Sequence, residues 1–271
     1  MAEAARRIEL SYDVPNANDR WVLEEDDNLP ESALHDAIVL LLVQVLLAWK
    51  VRESRDAFVG RNIALRWNQA APRQGVDPDA YVVEPAPPEG EDMTSLCTWK
   101  PGCHPPRLAV EVVSEGNADK DYDDGPERYA ASGTRELWVF DPLLAGPTSR
   151  DGPVTLQIWR RDDMGRFNRV YAGDGPARSD ELGAWVVVTD GGRRLRIADD
   201  PSGGALWPTE AETERAAKER ERAAKERERE AKEREREAKE REREAKEAAE
   251  LEVARLREEI VRLRAEKAPP D

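Results

Sequence analysis

The chain has 271 residues and a formal net charge of −15, with 37% of its residues Asp, Glu, Lys or Arg. Two cysteines, Cys97 and Cys103, are too few for a disulfide framework. The longest apolar run, Ala37 to Trp49, is short for a bilayer span, and residues 1–8 lack an apolar signal segment, so a soluble, cytoplasmic protein with no membrane association is expected.

Composition divides the chain. All eight tryptophans lie in residues 1–208, which hold 36 acids against 23 bases, and these residues are ample for a real core. Residues 209–271 hold 21 acids and 19 bases and are almost entirely Ala, Glu, Arg and Lys, the composition of a long helix or coiled coil. The acidic first part counts against a tight, general DNA binder, whose affinity rests on neutralised phosphates. It suits a site that gathers carboxylates around a divalent cation.

In chain order, a strand-like patch (Trp21 to Leu23) and an acidic run (Glu24 to Asp27) come first. Ser32 is a candidate N-cap for the helix HDAIVLLLVQVLLAWK, which is apolar on most faces and should be buried against a sheet. Phe58 to Trp67 alternates as a strand, and the turn APRQGVDP leads to a second strand at Asp79 to Val83. A long loop from Glu84 to Pro106 follows, with both cysteines. Arg107 to Val113 reads as a central strand, Asp121 to Ser132 as a helix closed by Gly133, and Glu136 to Phe140 as a fourth strand. Val154 to Ala198 reads as further antiparallel strands. The order predicts an α/β (α+β) domain on a mixed β-sheet flanked by helices, with additional C-terminal β structure and a long C-terminal helix.

Two acids stand where acids are costly. Asp79 opens an apolar strand, and Glu111 sits inside LAVEVVS between valines. A carboxylate in a central strand needs a partner or a metal. Two at adjacent strand ends can hold one Mg²⁺, which activates water and stabilises charge on a phosphodiester. Taken singly, Asp79 also reads as a turn cap and Glu111 as a solvent-facing strand residue.

The segments LHDAIVLLLVQVL, FVGRNIAL, VDPDAYVV, LAVEVVSEGNADKDY and ERYAASGTRELWVFDP, over about residues 20 to 145, resemble the bacterial restriction-endonuclease-like family of the Uma type, a branch of the PD-(D/E)XK nucleases. The block from Leu108 to Pro142 is the most specific part. The resemblance implies a restriction-endonuclease-like domain over 1–208, an endonuclease acting on DNA, Asp79 and Glu111 as ligands of Mg²⁺ (or Mn²⁺), and catalysis by Asp79, Glu111 and a lysine. The E-x-K lysine is absent, since Val113 occupies that place, and the helix position four before Tyr129 that such families give to lysine is Gly125. Lys120 is the nearest substitute and is assigned to orient the water or stabilise the phosphorane. His35 falls where this family often has a histidine near the start of the first helix, and as a lone histidine it reads as structural. Cys97, Cys103 and His104 lack a fourth ligand for a structural zinc site and read as loop residues with free thiols. The alternative function is a catalytically degenerate nuclease-fold adaptor that binds a partner through its tail.

From Ala216 the tail repeats every seven residues as AAKERER and EAKERER, with Glu221, Glu228 and Glu235 each four before a lysine. Such pairs add about 0.2–0.5 kcal/mol each to an isolated helix. Val253, Leu256, Ile260 and Leu263 are spaced three, four, three, a short zipper seam. The tail is therefore expected to support a homodimer or a protein partner, or to act as a spacer.

Overall fold

The computed structural model describes residues 32–114, 122, 124–147 and 152–266, with side chains as far as residue 260. The strand-like patch at Trp21 to Leu23, the acidic run after it and Lys120 lie outside these residues. The chain falls into two compact units, Met1–Trp207 and Pro208–Asp271.

In the first unit, α1 (Ala33–Arg52) starts at Ser32, whose side chain accepts the His35 N–H at 3.2 Å. Its buried residues are His35, Ile38, Val39, Leu42, Val45, Leu46 and Trp49, the three-and-four spacing of one helix face. By length and apolar character α1 as a whole is long enough to cross a membrane, so the run from Ala37 to Trp49 understates it. Its buried face nonetheless belongs to the protein core.

The main sheet has six strands in the order β1 (Phe58–Gly60), β3 (Ala80–Val83), β5 (Leu108–Val112), β6 (Glu136–Phe140), β7 (Leu156–Arg161), β8 (Phe167–Gly173). Within this sheet, among the described residues, only β5 and β6 are parallel. A parallel pair needs a crossover, and here it contains α2 (Gly125–Ser132), closed by Gly133 in the left-handed conformation at φ 87°. Strand side chains alternate between faces. Ala80, Val82, Leu108, Val110 and Val112 join α1 in one core cluster, while Tyr81, Val83, Ala109 and Val139 join Tyr129 of α2 in another.

The expected strand from Phe58 to Trp67 is two short ones. Tyr81, opposite Gly60 in the ladder, lies so close that a Cβ there would stand 2.4 Å from its ring. The chain then turns at Asn62, with φ 50°, before β2 (Leu65–Arg66). β2 pairs in parallel with β4 (Leu96–Cys97), so the expected loop from Glu84 to Pro106 holds a strand, and also a 3-10 turn at Gly90–Asp92. Both cysteines are buried free thiols.

The expected C-terminal β structure divides. β7 and β8 extend the main sheet, while β9 (Ala177–Ser179), β10 (Ala184–Thr189) and β11 (Arg194–Ala198) form a second, antiparallel one. Val186, Leu195 and Ile197 of this small sheet share the core cluster of α1. A helix with apolar partners in two sheets has reason to be apolar on most faces. Trp207 stacks on Trp49 with ring centroids 6.3 Å apart, and the Arg52 guanidinium lies 4.5 Å from the Trp207 ring.

The second unit is one helix, α3 (Glu210–Glu266), of 57 residues, about 86 Å long at 1.5 Å per residue. It opens on a reciprocal capping box: Thr209 N–H donates to Glu212 at 2.8 Å and Glu212 N–H to the Thr209 hydroxyl at 3.2 Å. The lysines at 225, 232 and 239 each pair at 2.6 Å with the glutamate four residues earlier.

Candidate active site

Asp79 and Glu111 are brought together by strand register. Ala80 pairs with Val110 across the antiparallel β3–β5 ladder. Asp79 lies one residue before Ala80 and Glu111 one after Val110, so the two acids occupy facing positions, where Cβ atoms stand about 5 Å apart. Both are buried, at 6% exposure each. The solvent-facing reading of Glu111 therefore falls away, because β5 is an interior strand with all five residues buried.

Each carboxylate is held from a different helix. Oδ2 of Asp79 accepts the Val112 N–H at 2.7 Å and lies 3.1 Å from Nε2 of His35 on α1. The first bond gives Val112 an acceptor where β3 has ended, so Asp79 continues the ladder with its side chain. Among the described residues both hydrogen bonds of Asp79 go to Oδ2, which leaves Oδ1 as a lone-pair donor. Glu111 accepts a hydrogen bond from the Tyr129 hydroxyl on α2, O···O 2.5 Å, a length typical of a hydroxyl on a carboxylate.

His35, read from the sequence as structural, thus touches one of the two acids, and Tyr129 touches the other. The rim is also tied together. Asn62 N–H donates to the Pro78 carbonyl just before Asp79, and Arg61 pairs at 3.5 Å with Asp36, the neighbour of His35. Gly125, at the place where a lysine was expected, is the buried first residue of α2 and supplies no cation. Lys120 lies outside the described residues.

The donor set is made of hard oxygens. Among the described residues no group of three or more His, Cys, Asp or Glu could hold an ion by itself. Mg²⁺ is commonly held through one or two carboxylates, with water and substrate phosphates completing its shell. Two facing carboxylates, one with an unengaged oxygen, fit that mode of binding and not a closed structural cage. Cys97 and Cys103 fall in no such group either.

A second buried glutamate was missed in the sequence. Glu136, fully buried at the start of β6, accepts from Trp138 Nε1 at 2.8 Å, Ser179 Oγ at 2.5 Å, Asp180 N–H at 3.1 Å and Arg160 Nε at 3.2 Å. Asp141, also fully buried, accepts from Tyr122 at 2.9 Å and from the Ala145 and Gly146 N–H groups. Glu136 and Asp141 each accept three or more hydrogen bonds in these contacts, whereas Asp79 and Glu111 stand at facing positions.

The mixed sheet with helices packed on its faces is the architecture of a restriction-endonuclease-like domain. The family model described as Uma2, "Putative restriction endonuclease", matches residues 26–163, just over half of the chain, and the protein belongs to that family. Among solved structures, the chain is similar to one described as "a putative nuclease belonging to DUF820 from Anabaena variabilis". The identity is 16%, with 56% of this chain and 75% of that one covered and a TM-score of 0.40. No curated protein matches the chain.

Proposed function

We propose that this member of a nuclease family is a divalent-metal-dependent endonuclease that hydrolyses phosphodiester bonds in DNA. The observation that carries the reading is the facing pair of buried carboxylates, Asp79 and Glu111. Two like charges directly opposite on neighbouring strands destabilise a sheet, and a site that binds a cation gives them a reason to be there. In this reading Asp79 and Glu111 hold Mg²⁺ or Mn²⁺, which when bound supplies a Lewis acid and a water of lowered pKa. The Val112 N–H and His35 keep Asp79 in place, and Tyr129 does the same for Glu111. Lys120 is assigned to orient the attacking water or to stabilise charge on the phosphorane.

The test is cleavage of supercoiled plasmid in Mg²⁺ or Mn²⁺ by the wild type and by Glu111→Ala. Metal-dependent nicking that disappears in the variant is the expected result. No nicking by a wild type that binds Mn²⁺ would overturn the enzymatic reading.

One observation favours a second reading, a catalytically degenerate adaptor with the same fold. Gly125 stands where a lysine was expected. The adaptor would engage a second copy or another protein through α3, where Val253, Leu256 and Ile260 are about half exposed and share one seam.

A further inference from the structure

Glu111 reaches the site on a side chain with three rotatable bonds, and its usefulness as a ligand depends on where its oxygens point. We propose that Tyr129 is a positioning residue for cation capture, its hydroxyl fixing the Glu111 carboxylate opposite Asp79. This inference rests on the metal-dependent reading of the site and deepens it.

The position of that hydroxyl is set by packing. Tyr129 is fully buried, and its cluster includes Tyr81, Ala109, Leu137 and Val139 from the sheet. The end of α2 is fixed behind it. The Ser132 hydroxyl donates to the Tyr129 carbonyl at 2.8 Å and also meets the Thr134 hydroxyl at 2.7 Å, while Gly133 turns the chain away. A ring held this way brings its oxygen to 2.5 Å from Oε1 of Glu111, from the layer opposite the sheet.

A merely structural account would have the bond satisfy a buried hydroxyl. The neighbouring Tyr81 is just as buried, yet its hydroxyl has no hydrogen-bond partner among the described residues, so this core does not require one for every phenol. What sets Tyr129 apart is the acid it touches. Groups that orient a metal ligand typically affect metal affinity 10–100-fold, whereas a bond that only satisfied a buried hydroxyl would affect stability and leave metal affinity unchanged.

The experiment compares wild type with Tyr129→Phe in the full chain, by calorimetric titration with Mn²⁺ alone and by melting without metal. Tyr129→Phe keeps the ring, so the metal-free melting temperature should move by only a few degrees, whereas Mn²⁺ affinity should fall about 10-fold or more. In plasmid cleavage the Mn²⁺ concentration for half-maximal rate should rise while the KM for DNA stays unchanged, a split that a general loss of stability would not produce. Equal Mn²⁺ affinity in the two proteins overturns the inference and leaves the metal-dependent reading standing. A wild type that binds no Mn²⁺ overturns both. A second readout needs no variant: Mg²⁺ titration of the wild type should perturb tyrosine ultraviolet absorbance with the midpoint of Mg²⁺ binding. If Tyr129→Phe does not fold, a flat tyrosine signal during demonstrated Mg²⁺ binding overturns the inference.

Discussion

Replacing Glu136 with alanine should cost the first unit about 3–5 kcal/mol, the usual result of removing one member of a buried charged network. Glu136 joins β6 to Arg160 on β7 and to the chain at Ser179 and Asp180. Two of the donors it serves belong to side chains of fully buried residues, Trp138 Nε1 and Ser179 Oγ. Each loses its acceptor in Glu136→Ala, at about 1–3 kcal/mol for a dry, unmade hydrogen bond. Arg160 is spared the full penalty because its other nitrogen pairs with Asp180 at 2.7 Å. In a domain of 150–250 residues one kcal/mol moves the melting temperature by about 2–4 °C, so Glu136→Ala should melt about 6–20 °C below wild type. Glu136→Gln, which keeps the shape and one acceptor oxygen, should fall between them. Tryptophan fluorescence and near-ultraviolet dichroism would follow the transition. A loss of under about 1 kcal/mol in Glu136→Ala would refute the view that these bonds are made in a dry interior.

Two other outcomes follow from the acids and thiols outside the site. Glu84 is partly buried, which opposes its ionisation, yet the Arg55 hydrogen bond and the Arg107 charge outweigh this and hold its carboxyl below the ordinary value. A depressed carboxyl stabilises above its unfolded pKa and loses that contribution as pH falls through its folded one. Wild type should therefore exceed Glu84→Gln by about 1 kcal/mol at pH 7, or about 2–4 °C, and the gap should close below about pH 4. A gap unchanged down to pH 3 in paired thermal melts would reject the assignment. Burial pushes the Cys103 thiol up from its ordinary pKa, and Cys97 is buried as well. Both should react with a thiol-specific chromogenic disulfide only on unfolding, and one equivalent of zinc retained through dialysis against chelator would contradict the free-thiol description.

What could be read from the sequence was what depends on neighbours in the chain. The helix α1, the Ser32 cap and strands β5 and β6 follow from local pattern, and so does the oddity of an acid inside LAVEVV. The Thr209–Glu212 capping box was equally local and readable as T-x-x-E. The need for glycine at position 60 was not, because the ring that leaves no room for a Cβ belongs to Tyr81, which pairs from 21 residues further on. His35 looked structural because its partner Asp79 lies 44 residues away, and Tyr129 carried no sign of Glu111.

The two buried glutamates show where local pattern stops being informative. Glu111 sits within an apolar strand and Glu136 opens one, and hydropathy alone treats them as equivalent costs. Their difference lies in what the fold delivers. β7 and the chain around β9 bring Glu136 a guanidinium, a hydroxyl and a backbone N–H, which neutralise and satisfy its charge. Glu111 accepts from Tyr129 of α2, and the residue just before β3 puts the carboxylate of Asp79 at the facing position. A cation shared by two carboxylates at facing positions is what the proposed function asks of Asp79 and Glu111, whereas the donors around Glu136 tie strands and chain together.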